Sequence, residues 1–172
     1  MKTIDFGKLS LMDALDLAIL IEAEAQERYE EFSDQMQLHH TPDAAAFFRA
    51  MAGNEAKHGT ELLGRRQELF GGQPARVTRS MLWDVEAPDY DNARAFMSAR
   101  QAMSVALESE IKAHDFFTLA LKHVSDPTVG ALFNELRNEE LQHQALVRIQ
   151  IDRLPPGPEV NPDDYGDEPV AQ

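Results

Sequence analysis

One pattern of glutamate, histidine and aromatic residues occurs twice in the chain, and this repeat restricts the fold more than any other feature. Two segments place an alanine three residues and an aromatic residue seven residues after a glutamate, namely Glu22, Ala25 and Tyr29, and Glu110, Ala113 and Phe117. Two further segments share a proline, a phenylalanine and a Glu-x-x-His motif at equal offsets, namely Pro42, Phe48, Glu55 and His58, and Pro127, Phe133, Glu140 and His143. The spacing predicts two copies of one helical hairpin packed face to face.

The phase of the four glutamates predicts that their side chains point into the core. Apolar residues three or four apart mark the inward face of a helix, and each glutamate continues such a series, as Glu22 does between Ala18 and Ala25. An unpaired buried carboxylate costs several kcal/mol, so four would exceed the roughly 5–15 kcal/mol of stability that a domain usually has. Arg65 is the only cationic side chain near these faces, and it lies about two turns from His58.

Two divalent cations would neutralise these acids, because four carboxylates and two neutral imidazoles then sum with the ions to zero charge. Glu and His three residues apart share one helix face and can reach the same ion. One glutamate from each of two helices, with Glu-x-x-His from each of the other two, is the pattern of di-iron carboxylate bundles. The predicted ligands are Glu22, Glu55, His58, Glu110, Glu140 and His143.

The identity of the metal is predicted from the donor atoms. The chain has no cysteine, which excludes thiolate metal sites, iron–sulfur clusters and disulfides within it. Ligation rich in oxygen and poor in histidine suits iron or manganese, and zinc could occupy the site. Two iron ions are the predicted cofactor, with manganese or zinc as substitutes.

The predicted fold is all-α, a four-helix bundle built from two helical hairpins joined by a crossover. The helices are predicted at about 10–38, 42–70, 91–124 and 127–153. The segment 73–91 can span roughly 60 Å when extended, which exceeds the roughly 42 Å of the second helix. Residues 1–153 therefore form the predicted domain, and the proline-rich acidic residues 154–172 are predicted to be an extended or disordered tail.

The charge of the chain limits its partners. Thirty acidic residues against sixteen basic ones give a net charge of −14, without the basic footprint that nucleic-acid binding requires. No apolar stretch approaches the roughly 18 residues of a membrane helix. Residues 1–5 lack the apolar core of a signal peptide, so we expect a cytoplasmic location.

Residues 22–29, Glu110 and the two Glu-x-x-His motifs resemble the rubrerythrin-type members of the ferritin-like di-iron superfamily, over about residues 8–153. The resemblance implies a ferritin-like bundle in which Glu55 and Glu140 bridge the metals and the other four ligands complete the terminal ligation. It also implies that Tyr29 forms a hydrogen bond within the site, outside the ligand set.

The sequence departs from that family in three ways. Rubrerythrins proper carry a rubredoxin domain with four cysteines, and the chain has none, so electrons would come from a separate protein such as a rubredoxin or from a small reductant. The extra glutamate near the ligand of the third helix is replaced at about Ala113. Phe117 replaces a second aromatic hydroxyl opposite Tyr29.

Three further residues are candidates of lower rank. His114 lies one turn beyond Glu110 and could add a ligand or a proton donor, although a core histidine bonded to a neighbour is the preferred interpretation. Glu108 lies two residues out of phase with Glu110, and Glu139 precedes a predicted ligand. Both are predicted to be surface acids.

The leading functional hypothesis is an oxidoreductase that reduces hydrogen peroxide or dioxygen at a di-iron pair. The alternative is iron binding, storage or delivery without a turnover cycle. A third hypothesis is a metal-free interaction bundle, which predicts equal melting temperatures with and without metal. We also expect a homodimer, in which the two hairpins could be exchanged between chains.

Overall fold

A computed structural model describes residues 4–81, 85, 87–89 and 97–154 of the chain. Helix α1 spans Leu11–Leu38, α2 spans Pro42–Phe70, α3 spans Ala99–Leu121 and α4 spans Pro127–Arg153. Short 3-10 turns at Phe6–Lys8 and Arg79–Met81 precede α1 and follow α2. The described part of the chain contains no strand, so the prediction of an all-α fold is confirmed.

The ends of three helices follow from local chemistry that the sequence displays. Ser10 and Asp13 form a capping box at the start of α1, in which each side chain accepts from the other's backbone amide. Asp126 caps α4 by accepting from the amides of residues 128 and 129, and proline occupies the first position of α2 and of α4. Gly71 ends α2 with a φ of +58°, which glycine adopts without strain.

Helix α3 is shorter than its predicted range of 91–124. Ser98 forms a capping box with Gln101, so the helix starts at Ala99, after Met97 and Ser98 in non-helical conformation. It ends at Leu121, since the chain needs a few non-helical residues before Asp126 can cap α4. Residues 91–96 lie outside the described residues.

Two apolar clusters occupy opposite ends of the bundle and fix the directions of the helices. The first cluster joins the start of α1, the end of α2, the end of α3 and the start of α4, represented by Leu15, Leu62, Phe117 and Phe133. The second joins the end of α1, the start of α2 and the start of α3, represented by Phe32, Phe48 and Ala102. Helices α2 and α3 therefore run parallel, and the connection between them must return along the bundle, as a crossover does.

The described residues of the crossover pack along α1 and α3. Arg76 forms an ion pair with Asp13 near the start of α1, with 2.7 Å between Nη2 and Oδ2. Further on, the buried Arg28 of α1 donates a hydrogen bond to the carbonyl of Pro88. Lys112 of α3 donates from Nζ to the carbonyl of Ala87, the residue before Pro88, at 2.6 Å. These contacts hold the crossover against both hairpins.

Two predictions from the sequence concern the C-terminal part of the chain and stay predictions. Residues 155–172 lie outside the described residues, so the extended or disordered tail stays a prediction, as does the domain limit at residue 153. Among the described residues, each helix is too short in apolar length or too charged to cross a bilayer.

Candidate metal centre

The four repeated glutamates lie at the level where the two apolar clusters meet. On α1, Glu22 stands between Ile21 of the first cluster and Ala25 of the second. On α3, Glu110 follows Ala106 of the second cluster and precedes the residues of the first. None of the four glutamates is more than 5% exposed. The bundle therefore contains one layer of carboxylates between two apolar layers.

The first hairpin supplies a group of three candidate ligands, Glu22, Glu55 and His58. One donor atom from each residue lies within 4.8 Å of the others. The Nδ1 atom of His58 is 3.5 Å from Oε2 of Glu55, one helical turn earlier, and 3.8 Å from Oε2 of Glu22 on α1. These separations are longer than hydrogen bonds, as expected where an ion would lie between the donors.

The second hairpin supplies the matching group, Glu110, Glu140 and His143. Its three donor atoms also lie within 4.8 Å of one another. The Nδ1 atom of His143 is 3.1 Å from Oε2 of Glu110 and 3.7 Å from Oε2 of Glu140. The contact with Glu110 is a hydrogen bond, so this group is tighter than the first.

The two groups lie side by side, because their histidines are in contact. The rings of His58 and His143 stack with centroids 4.8 Å apart and planes inclined by 1°. Their side chains are 23% and 20% exposed, whereas the carboxylates behind them are buried. The stacked imidazoles therefore form the edge of the site that reaches solvent.

Several carboxylate oxygens in the layer have no hydrogen-bond partner among the described residues. They are Oε2 of Glu22, both oxygens of Glu55, Oε1 of Glu110 and Oε2 of Glu140. A buried, unsatisfied polar atom is costly, and a charged one more so. Five such oxygens at one level, with two imidazole nitrogens beside them, fit a pair of metal ions.

In the protein without metal, burial and neighbouring charges raise the pKa values of two glutamates and both histidines of the layer. Burial raises the pKa of Glu22 to about 7 and that of Glu140 to about 9, with repulsion from the neighbouring carboxylate adding to each shift. The nearby carboxylates of Glu22 and Glu55 favour the charged imidazole and raise the pKa of His58 to about 10. Burial opposes the charged form of His143, but its two carboxylates outweigh burial and raise its pKa to about 11. Protons thus occupy the layer where cations would bind.

Lysine and arginine do not take the place of those cations. Among the described residues, none forms an ion pair with any of the four glutamates. Arg65 pairs instead with Glu135 of α4, at 2.9 Å from Nη1 to Oε2. The buried Arg66 is engaged by Asp16, at 2.8 Å from Nε to Oδ1. Without metal, the neutralising charge in this part of the chain therefore comes from protons on the layer itself, whose place bound cations would take.

The remaining predicted residues lie around the two groups. Tyr29 is fully buried on α1 and stacks on Phe48 with ring centroids 6.0 Å apart, while its hydrogen bond within the site stays a prediction. His114 is outside both groups, and its Nδ1 lies 3.2 Å from Oδ1 of Asp115. The expected bond to a neighbour is present, but the side chain is 24% exposed and its partner is exposed, so the prediction of a core histidine is wrong. Glu108 is exposed, as predicted.

Sequence reasoning missed two polar residues beside the site. Glu139 was predicted to be a surface acid, but it is half-buried, and burial together with the charge of Glu135 raises its pKa. Gln144 donates from Nε2 to the backbone carbonyl of Glu110 at 3.2 Å. Glu139 lies four residues before His143 and Gln144 lies one residue after it, and this closeness to a predicted ligand could have indicated that both lie beside the site.

Comparison with known proteins agrees with this architecture. The Rubrerythrin family model matches residues 13–151. An uncharacterized conserved protein from Magnetospirillum magnetotacticum is 27% identical, with a TM-score of 0.67, covering 89% of this chain and 100% of that one. No curated protein matches the chain.

Two more distant structures share the fold alone. A PmFTN variant soaked in iron has 16% identity and a TM-score of 0.58, covering 83% of this chain and 87% of that one. A bacterioferritin from Rhodobacter capsulatus, described with a metal-free dinuclear site and a haem iron, has 18% identity and a TM-score of 0.55, covering 82% of each chain. The ferritin-like four-helix bundle predicted from the sequence is thereby confirmed.

Proposed function

This chain belongs to the rubrerythrin family, and from that premise we propose that it is a di-iron oxidoreductase that reduces hydrogen peroxide, or dioxygen, with electrons from an external donor. The observation that carries the proposal is the set of five unsatisfied carboxylate oxygens beside two imidazole nitrogens, buried at one level of the bundle. A purely structural role would not account for this site, because five buried oxygens without a hydrogen-bond partner are costly to the fold.

The donor set supports iron as the metal. Each group offers carboxylate oxygens and a single imidazole nitrogen, a combination that suits iron or manganese and that zinc can occupy. Glu22, Glu55 and His58 would hold one ion, and Glu110, Glu140 and His143 the other. In the rubrerythrin-like arrangement Glu55 and Glu140 would bridge the pair.

The protein's own residues position the reaction and protect it. The apolar clusters on either side of the carboxylate layer exclude water, and the buried Tyr29 belongs to the second cluster together with Ala25. Bound ferrous ions would supply the two electrons that convert hydrogen peroxide and two protons into two molecules of water. The external donor, a protein such as a rubredoxin or a small reductant, would then restore the reduced state.

Stopped-flow oxidation of the ferrous protein tests this function. Anaerobic protein loaded with Fe²⁺ is mixed with hydrogen peroxide or with dioxygen, and the ferric absorbance is followed. Bound iron should oxidise faster than free Fe²⁺, and Glu110→Ala should lose this acceleration. Glu108→Ala is the matched control, because it removes an exposed acid two residues away on the same helix. If neither oxidant reacts faster with bound iron than with free iron, the proposed enzyme function is wrong.

Iron binding, storage or delivery without turnover is the second candidate function. The half-buried Glu139 lies within reach of the charges of Glu61, Glu135 and both histidines, so acids surround the exposed edge of the site and would attract Fe²⁺. The native mass separates the two candidates. A shell of many subunits favours storage, whereas a dimer, with or without exchanged hairpins, favours the enzyme. The cytoplasmic location expected from the sequence stays a prediction.

A further inference from the structure

The residue that follows each candidate histidine differs between the two hairpins. In the repeat, residues of α2 correspond to those 85 positions later in α4, so that His58 matches His143 and Glu55 matches Glu140. The next pair is Gly59 and Gln144. These two positions lie on the flank of the ligand helix that faces the partner helix of the same hairpin.

Gln144 links α4 to α3 at the ligand itself. Its Nε2 donates to the backbone carbonyl of Glu110 at 3.2 Å, and the side chain of Glu110 is completely buried. At the same level His143 is hydrogen-bonded to Glu110 at 3.1 Å. Two side chains of α4 therefore hold one residue of α3, which fixes the separation of the donors in the second group.

Gly59 provides no such link in the first hairpin. It has no side chain to donate, and a Cβ built at this position would meet the Cβ of Glu22 only at 3.5 Å, an ordinary contact. His58 is 3.8 Å from Glu22, too far for a hydrogen bond. The donors of the first group are thus held less tightly than those of the second.

From this asymmetry we propose that Gln144 is a positioning residue that makes Glu110, Glu140 and His143 the position that binds its divalent ion first and more tightly. The position at Glu22, Glu55 and His58, next to Gly59, then holds the exchangeable ion. The inference rests on the proposed function only in that the two groups bind metal. A preorganised donor set binds with less loss of conformational freedom, and residues that orient metal ligands typically contribute about 10–100-fold in affinity.

Stepwise Zn²⁺ titration of the full-length, metal-stripped protein tests the order of filling. The protein is labelled with ¹⁵N-histidine, and the imidazole signals are assigned with the variants His58→Ala and His143→Ala. We expect the signals of His143 to shift during the first equivalent and those of His58 during the second. The same signals also report which ring nitrogen binds the ion, expected to be Nδ1 in both residues.

Substitution of Gln144 tests its role. Gln144→Ala should weaken the first binding step about 10–100-fold and remove the ordered filling. Gln144→Met, which retains the volume but not the donor, should behave similarly, and it separates loss of the hydrogen bond from a packing defect. Gln142→Ala is the control, because Gln142 is exposed on the same helix two residues away. Gly59→Gln should narrow the difference between the two binding steps.

The outcomes distinguish the inference from the function beneath it. If the wild-type protein binds two Zn²⁺ ions but His58 shifts first, or if Gln144→Ala and Gln144→Met change both steps by less than twofold, the positioning role is overturned and the metal site stands. If the wild-type protein binds no Zn²⁺ at micromolar concentration, both the inference and the proposed function fail. Circular dichroism of each metal-stripped variant confirms that a lost step does not come from unfolding.

Discussion

The two hairpins carry the same candidate ligands but hold them with different side chains. In the first hairpin a buried ion pair links the helices, because Arg66 of α2 donates to Asp16 of α1 at 2.8 Å from Nε to Oδ1. In the repeat these residues correspond to Ser104 and Ile151, which cannot form such a pair. The second hairpin is linked by Gln144 instead. The two copies of the repeat therefore share their candidate ligands but differ in the polar contacts that link their helices.

The ion pair of the first hairpin does more than join two helices. Besides Asp16, Arg66 donates to the carbonyl of Gly71 at 2.8 Å and to that of Gln73 at 2.6 Å. It therefore satisfies carbonyls at the end of α2 and at the start of the crossover. The second hairpin ends differently, since Arg100 of α3 donates to the carbonyls of Ile151 and Leu154 at the end of α4.

Metal loading should give the largest effect, and the ligand groups of both hairpins should contribute to it. Metal at about a 100-fold excess over its Kd adds about 2.7 kcal/mol for each occupied site, because it binds the folded state alone. Thermal melting with and without Fe²⁺ measures the gain. Glu55→Ala and Glu140→Ala should each abolish the paired site, which metal analysis of the purified protein checks. Equal melting temperatures with and without metal would support a metal-free bundle.

Breaking the buried ion pair between Arg66 and Asp16 should destabilise the first hairpin, which has no counterpart of this pair in the second. Asp16→Ala leaves the guanidinium of Arg66 buried without its carboxylate, which we expect to cost about 3–5 kcal/mol in the free energy of unfolding. Urea unfolding of the metal-stripped protein measures the loss. The control is Glu135→Ala, which removes the partly exposed pair with Arg65 and should cost less than about 1 kcal/mol. A similar small loss for both variants would show that the buried pair stabilises the first hairpin no more than a surface pair does.

The pH dependence of stability should invert when metal is removed. The pKa values of Glu22 and Glu140 are raised to about 7 and about 9, and those of His58 and His143 to about 10 and about 11. In every case the folded protein holds a proton that the unfolded chain has already released, so stability falls as pH rises. Between pH 5 and pH 9 the metal-stripped protein should lose stability in urea unfolding, at about 1.4 kcal/mol per pH unit for each group that keeps its proton only in the folded state.

The metal-loaded protein provides the contrast for this pH prediction. Its ligands must be deprotonated to bind, so its metal affinity should increase with pH over the same range. Release of protons on addition of Fe²⁺ or Zn²⁺ at pH 7, measured with a pH indicator in weak buffer, checks the same linkage. A metal-stripped protein that becomes more stable as pH rises would contradict the assignment of protons to the layer.

Adding a side chain at Gly59 in the first hairpin should give the smallest effect. Gly59→Ala should stabilise the metal-stripped protein by up to about 1 kcal/mol, because alanine favours the interior of a helix and the new Cβ meets Glu22 at an ordinary contact distance. Gly53→Ala is the matched control, since a Cβ there meets nothing within 4 Å. A loss of stability in Gly59→Ala alone would show that Glu22 needs the space, which would strengthen the distinction between the hairpins.

The features that the sequence predicted well are those decided within a single helix. Ser10 and Asp13 predict a capping box, and Gly71 predicts the end of a helix. The position of Glu22 within its apolar series predicts that its side chain is buried. The start of α3 could have been predicted in the same way, since Ser98 and Gln101 have the spacing of a capping box. Its prediction at residue 91 failed because the periodic pattern was extended past this signal.

The features that the sequence did not predict depend on the neighbour across the helix interface. Arg66 and Arg65 are adjacent and chemically identical, yet one is buried against Asp16 and the other lies near the surface with Glu135. Glu139 and Gln144 likewise acquire their environment from the facing helices. Burial of a polar residue is decided by which partner the packing brings to it, and the helical period of one segment does not contain that information.

The carboxylate layer divides the interior of the bundle into two apolar halves that meet only where a cation would lie. We expect the turnover of the protein in the cell to follow the supply of the metal that it binds, because a chain that lacks its ions opens more often and is cut by proteases when open. Cells short of that metal would then degrade the unloaded chains before they could accumulate. The amount of the protein would therefore vary with the amount of available metal.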